Sequence, residues 1–232
     1  MQQQLAIVLI GISCVLLACG DEAKEHYNRG VNYQKQGKVD EAIAEYKMAI
    51  RIEPNSAMTY SNLGVAYLWQ GKYDLAIGPF KKVISLNPTL NLNNIVGAKA
   101  ANMFFAGTHF NLGFVYEKQG KDDLAIEEYK NAISLSPDGA KAHVGLGLVY
   151  HKQGEDDLAI AEYQKAVHAL PKYAWAHYNL AGVYSLKKEK AFAIVSLRKA
   201  ISHNSSWIEQ AKTDSDFDNI RQSSEFQALI YP

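Results

Sequence analysis

A small residue returns along this chain at a fixed interval. Gly30, Gly64, Gly113, Gly147 and Ala181 are separated by 34, 49, 34 and 34 residues, and 49 is one period of 34 carrying 15 extra residues. Three residues past each stands a tyrosine: Tyr33, Tyr67, Tyr116, Tyr150 and Tyr184. Nine further on come Ala42, Ala76, Ala125, Ala159 and Ala193, then the bulky row Tyr46, Phe80, Tyr129, Tyr163 and Leu197. A third small row, Ala49, Val83, Ala132, Ala166 and Ala200, precedes Pro54, Pro88, Pro137 and Pro171, with Ser205 in the last copy. A period of this size marks a stacked array in which no single unit buries its apolar stripe alone.

Within each unit the residues predict two antiparallel helices. Gly37, Gly71, Gly120 and Gly154 fall where the first helix ends in a left-handed residue. Asp40, Asp74, Asp123 and Asp157 follow at the start of the second, where a carboxylate is expected to cap free N–H groups and meet the positive end of the dipole. The acidic pairs there lack the alternating oxygen ligands and central glycine of a calcium loop. Proline closes each second helix because it cannot continue one.

These rows resemble the tetratricopeptide repeat, over about 170 of the 232 residues. The resemblance implies an all-α, right-handed superhelical solenoid of five helix-turn-helix units with C-terminal capping helices. The units run 23–56, 57–90, 106–139, 140–173 and 174–205, so 23–90 holds the first two and 106–205 the last three. Residues 206–232 form the cap: Trp207 and Ile208 close the fifth unit, and Phe217, Ile220, Phe226, Leu229 and Ile230 lay an apolar stripe over it. Between the second and third units, residues 91–105 are an insertion with Leu92, Val96, Ala100 and Met103 at helical spacing. It either lengthens the next helix backwards or forms one of its own. Its stripe either folds onto the array or stays open for self-association or a partner.

The amino terminus reads as an address. Leu5–Leu17 holds thirteen residues without a charge, short of the ~20 that cross a bilayer as a helix. Leu16-Leu17-Ala18-Cys19 resembles the lipobox of bacterial lipoproteins, whose cysteine is acylated after cleavage on its amino side. Residues 1–18 are then a signal peptide and 19–22 a tether lipidated at Cys19. That resemblance places the protein in a bacterial cell envelope, periplasm-facing, with Gly20 favouring the outer membrane over the inner. Met1–Gln4 carries no Lys or Arg, and an uncleaved signal anchor is the alternative. The only cysteines are Cys14 and Cys19, so the repeats have neither a disulfide nor a cysteine zinc site.

Charge removes another class. Twenty-four Lys and Arg balance twenty-four Asp and Glu without clustering, which excludes a nucleic-acid footprint. No metalloprotease, phosphate-loop, nucleophile-elbow or dinucleotide motif is present, and an enzyme is not expected. Nor is a cofactor. His26, His109, His143 and His177 share one phase of the repeat, with Tyr60 in the second unit. Neighbouring helices lie about 8–10 Å apart, whereas zinc needs nitrogens at about 2.0–2.1 Å. The histidine row therefore reads as filling between paired helices, not as a metal ladder.

By family resemblance the working surface is the concave face of the first helices, where a peptide or helix of a partner protein lies. Carried onto this sequence, that face comprises Tyr27, Asn28, Asn62, Trp69, Phe110, Asn111, Phe114, Lys141, Leu148, Trp175, Tyr178 and Asn179. It is partly aromatic, which suits an apolar or amphipathic segment anchored by buried rings. The expected role is a membrane-anchored adaptor for an envelope complex, in pilus biogenesis, outer-membrane assembly or similar. Two alternatives stand beside it: a self-associating scaffold using 91–105, and an accessory subunit of an envelope enzyme.

Overall fold

The first helix of every unit ends on a left-handed residue. Gly37, Gly71, Gly120 and Gly154 have φ between 68° and 80°, and Lys188 takes the same place in the fifth unit at φ 62°. The residue after each donates its N–H to the carbonyl of the tyrosine row, Lys38 to Tyr33, Lys72 to Tyr67, Lys121 to Tyr116, Glu155 to Tyr150 and Glu189 to Tyr184, at 2.8–2.9 Å. This six-to-one bond satisfies an orphan carbonyl and turns the chain into the second helix.

A computed structural model describes residues 21–86 and 97–231. The regular structure among the described residues is all helical. In chain order the helices are α1 (21–35), α2 (Val39–Ile52), α3 (Ala57–Trp69), α4 (Tyr73–Leu86), α5 (Ala98–Lys118) and α6 (Asp122–Leu135). Then come α7 (Ala140–Lys152), α8 (Asp156–Ala169), α9 (Ala174–Leu186), α10 (Lys190–His203), α11 (Trp207–Thr213) and α12 (Ser224–Ile230), with a 3-10 turn at Ser215–Phe217. The expected signal peptide and Cys19 lie outside the described residues. The chain divides into two compact parts, Met1–Ala101 and Asn102–Pro232.

In the first part, α2 packs on α3 and α3 on α4. Ala42, Tyr46, Ala49, Leu63, Ala76, Phe80 and Val83 are buried between them. The Tyr46 hydroxyl donates to Gln34 Oε1 at 2.6 Å, and burial pushes its pKa up to about 12.

In the second part, α6 packs on α7, α7 on α8, α8 on α9 and α9 on α10. Gly147 shows why the small row exists: a Cβ there would stand 2.5 Å from the fully buried Tyr163 ring. The core runs from Val144, Tyr163 and Leu180 through Leu197 to Ala211, Phe217, Ile220, Phe226 and Ile230, so the tail closes the fifth unit as its apolar spacing predicts.

Two local expectations change. The aspartates at the second-helix starts sit inside the first turn, and the cap residues Lys38, Lys121, Glu155 and Glu189 make no side-chain capping bond. The carboxylates act there through the helix dipole. Some also reach the next unit: Asp40 accepts from Gln70 at 2.7 Å, Asp122 from Lys152 at 2.8 Å and Asp157 from Lys187 at 2.5 Å. The second change concerns the insertion. Residues 98–105 continue without a break into the first helix of the third unit, and Leu92 and Val96 lie outside the described residues. Ala100 and Met103 are exposed, while Ala101 and Phe105 are buried, so the buried face is offset from the stripe read in the sequence.

Candidate functional site

The second part carries a cleft of about 450 Å³ beside α5 and α7. Met103, Phe110 and Asn111 line it from α5, Lys141 from α7 and Leu170 from the C-terminal end of α8. Met103 and Leu170 are 58% and 48% exposed, so the cleft offers apolar surface to solvent. Phe110 is held from below by Tyr129, with ring centroids 5.8 Å apart. Lys141 and Asp138 place one cationic and one anionic group on a lining that is otherwise uncharged. The arrangement is suited to binding an apolar side chain, and it contains no nucleophile paired with a base.

Three of the expected site residues, Phe110, Asn111 and Lys141, thus meet at one cleft. Phe114 lies one turn further along α5 and carries Lys118 Nζ over its ring at 5.0 Å. Leu148 is half-buried and packs against the C-terminal core. Trp175 lies edge-on to Tyr173, ring centroids 6.2 Å apart. Asn179 donates to the Trp175 carbonyl of its own helix at 2.8 Å. In the first part, Tyr27 lines a smaller hollow with Lys24 and Met58. Its hydroxyl accepts from Asn62 at 3.3 Å, Asn28 is exposed, and Trp69 is 60% exposed. Asn62 and Asn179 are therefore engaged with the scaffold.

Tyr178 differs from expectation. It is buried, its ring stacks on Trp207 with centroids 4.3 Å apart, and Phe217 meets it edge-on at 5.3 Å. Its hydroxyl donates to Asp214 Oδ2 at 2.7 Å, and burial raises its pKa. The tail thus packs on the face of α9 that carries Tyr178. Arg221 fixes that segment by donating to the carbonyls of Ala211, Lys212 and Asp214. Sequence reading recognised the tail's apolar stripe as a cap but not the face on which its acidic turn settles.

The histidine row is a set of clips between paired helices. His26, His109 and His143 donate through Nδ1 to Glu45, Glu128 and Glu162, each nineteen residues on, at 2.6–2.7 Å. His143 also donates through Nε2 to the Pro137 carbonyl at 2.9 Å. Burial alone would lower its pKa, but these acceptors outweigh burial and raise it. Burial would likewise raise the Glu162 pKa, yet the bonds from His143 and Lys165 hold it below the usual value. His177 has Ser196 at the same offset. It keeps only the bond to a proline carbonyl, Pro171, and burial lowers its pKa. Among the described residues no group of three His, Cys, Asp or Glu side chains is arranged to hold a metal.

These helix pairs and rows define a repeat protein built for contact along its length. A sequence profile described as "TPR repeat" matches residues 30–71, 116–154 and 150–187, and one described as "Tetratricopeptide repeat" matches 57–90. Together they span more than half of the chain, which belongs to the tetratricopeptide repeat family. A crystal structure of MamA is 27% identical with a TM-score of 0.63, over 78% of this chain and 96% of that one. YrrB, described as a TPR protein with an unusual peptide-binding site, is 22% identical with a TM-score of 0.57, over 78% and 85%. PilF of Pseudomonas aeruginosa is 17% identical with a TM-score of 0.64, over 91% and 98%. A comparison with curated protein sequences gave no match.

Proposed function

We propose that this protein is a non-enzymatic interaction adaptor, tethered to a bacterial envelope membrane through acylated Cys19, that presents the cleft around Phe110 to an apolar or amphipathic segment of a partner protein. The observation that carries this reading is the cleft itself, whose exposed Met103 and Leu170 flank a ring backed by Tyr129. The peptide-binding site named for YrrB supports the same use of the fold. Aromatic anchors in such a groove supply most of the binding energy. Among the described residues no helix is long and apolar enough to span a bilayer, and the tether is read from Leu16-Leu17-Ala18-Cys19.

The test is affinity capture from detergent-solubilised membranes with the full chain and with a Phe110→Ala/Phe114→Ala variant. The double variant, with its helical circular dichroism intact, is expected to bind the captured partner more than tenfold more weakly. Unchanged affinity overturns this choice of face. Cys19→Ser is expected to move the protein from the membrane to the soluble fraction. Exposed Ala100 and Met103 on α5 favour a second reading, self-association through 91–105. Light scattering with and without that segment separates the two.

A further inference from the structure

One position of the period decides whether the seam between successive units is filled or open. It is Gly139 just before α7, Tyr173 just before α9 and Trp207 at the head of α11, spaced 34 residues apart. Twenty-nine residues before each stand Phe110, Val144 and Tyr178. Where the later residue is a ring, the earlier one is covered. Trp207 stacks on Tyr178, which is 4% exposed, and Tyr173 packs against the core that holds Val144, which is 0% exposed. Where it is glycine, Phe110 stays half-buried, and Phe110 and Gly139 both line the open cleft. The first part repeats the pattern: Ser56 stands twenty-nine residues after the half-buried Tyr27, and both line the smaller hollow there.

The cleft at Phe110 is thus the place of a ring that this chain supplies at Trp207 and omits at Gly139. Its platform is aromatic: Phe110 is backed by Tyr129, ring centroids 5.8 Å apart, and a further ring gains from offset or tilted packing on such a surface. A volume of about 450 Å³ admits a double ring. Lys141 and Asp138 balance on the lining, which therefore favours an uncharged occupant over a cation or an anion. Ser136, Asp138 and Asn111 offer oxygen acceptors for an N–H donor. An indole has that chemistry, a large apolar body with one N–H and no charge.

We infer that this cleft is a socket for a tryptophan side chain of the partner segment, seated on Phe110 in the space left by Gly139 as Trp207 is seated on Tyr178. The inference rests on the interaction reading above and names the side chain that anchors the partner.

The test is an NMR titration of the full chain with N-acetyl-tryptophan amide, against N-acetyl-leucine amide. Saturable shifts of the Gly107, Asn111 and Gly139 amides are expected with the tryptophan probe, which binds about fivefold more tightly than the leucine probe. Gly107→Leu fills the cleft from α5. A Cβ at Gly107 meets nothing within 4 Å, and leucine is the better helix former, so the variant keeps its fold. It is expected to weaken the tryptophan probe at least tenfold without lowering the melting temperature. No saturable shift, an equal response to leucine, or undiminished binding to Gly107→Leu overturns the socket. Partner capture by the Phe110→Ala/Phe114→Ala variant reads the groove separately. Capture lost there with leucine bound as tightly as tryptophan overturns the socket alone, whereas capture that survives there overturns the groove reading and, with it, the socket as a partner site.

Discussion

Trp207 lies flat on Tyr178, ring centroids 4.3 Å apart and planes 27° from parallel, twenty-nine residues along the chain. The contact joins the first residue of α11 to α9 of the last unit. Trp207→Ala is expected to destabilise the protein by about 2–4 kcal/mol, the cost of truncating a large packed aromatic. Urea unfolding followed by circular dichroism measures it. Limited proteolysis is expected to cut first between residues 204 and 216 in the variant. A loss below about 0.5 kcal/mol would show that the tail is held by its other contacts.

The His143–Glu162 clip makes stability depend on pH in a defined direction. The raised His143 pKa contributes stability that is complete below its unfolded value of 6.5 and is lost as pH rises through the folded value. The lowered Glu162 pKa contributes stability that is complete above its unfolded value of 4.5 and is lost as pH falls through the folded one. The pair therefore contributes most between those two values. Glu162→Gln is expected to cost about 1–3 kcal/mol at pH 5.5 and distinctly less at pH 8.5. Denaturation midpoints at the two pH values check it, and an equal cost at both would refute the charged pairing.

Lys188 is the one left-handed turn residue in the described array that is not glycine. A side chain in that conformation costs about 1–2 kcal/mol, partly offset by the entropy glycine loses on folding. Lys188→Gly is expected to stabilise the protein by about 0.5–1 kcal/mol, read as a rise in melting temperature. A fall would mean that Lys188 makes a compensating contact.

The helical pairs were legible because each rests on a local constraint repeated at a fixed phase. Gly37 must turn left-handed whatever surrounds it, and Gly147 must be small wherever a tyrosine crosses it. The histidine row was legible as packing, but its partners were not named. The signal was available: Glu45, Glu128 and Glu162 follow the histidines at one offset, and Pro79 and Ser196 stand there in the units without a clip. Asp40, Asp123 and Asp157 each stand two residues past the cap position expected for them, because the turn closes through the backbone before the carboxylates arrive. Phe110, Asn111 and Lys141 converge because helix periodicity fixes their shared face. The seat of the acidic turn was not legible, since nothing local directs Asp214 to Tyr178 across 36 residues.

The tail's seat on Tyr178 of the fifth unit limits how this chain lengthens. The pairings of α6 with α7 and of α8 with α9 repeat at thirty-four residues, so a copy of residues 140–173 placed between them reproduces contacts already present. The same copy inserted after His203 would part Tyr178 from Asp214 and offer the terminal segment a valine, the counterpart of Val144, in its place. At the carboxyl end only a copy that carries the Tyr178 seat with it lengthens the array.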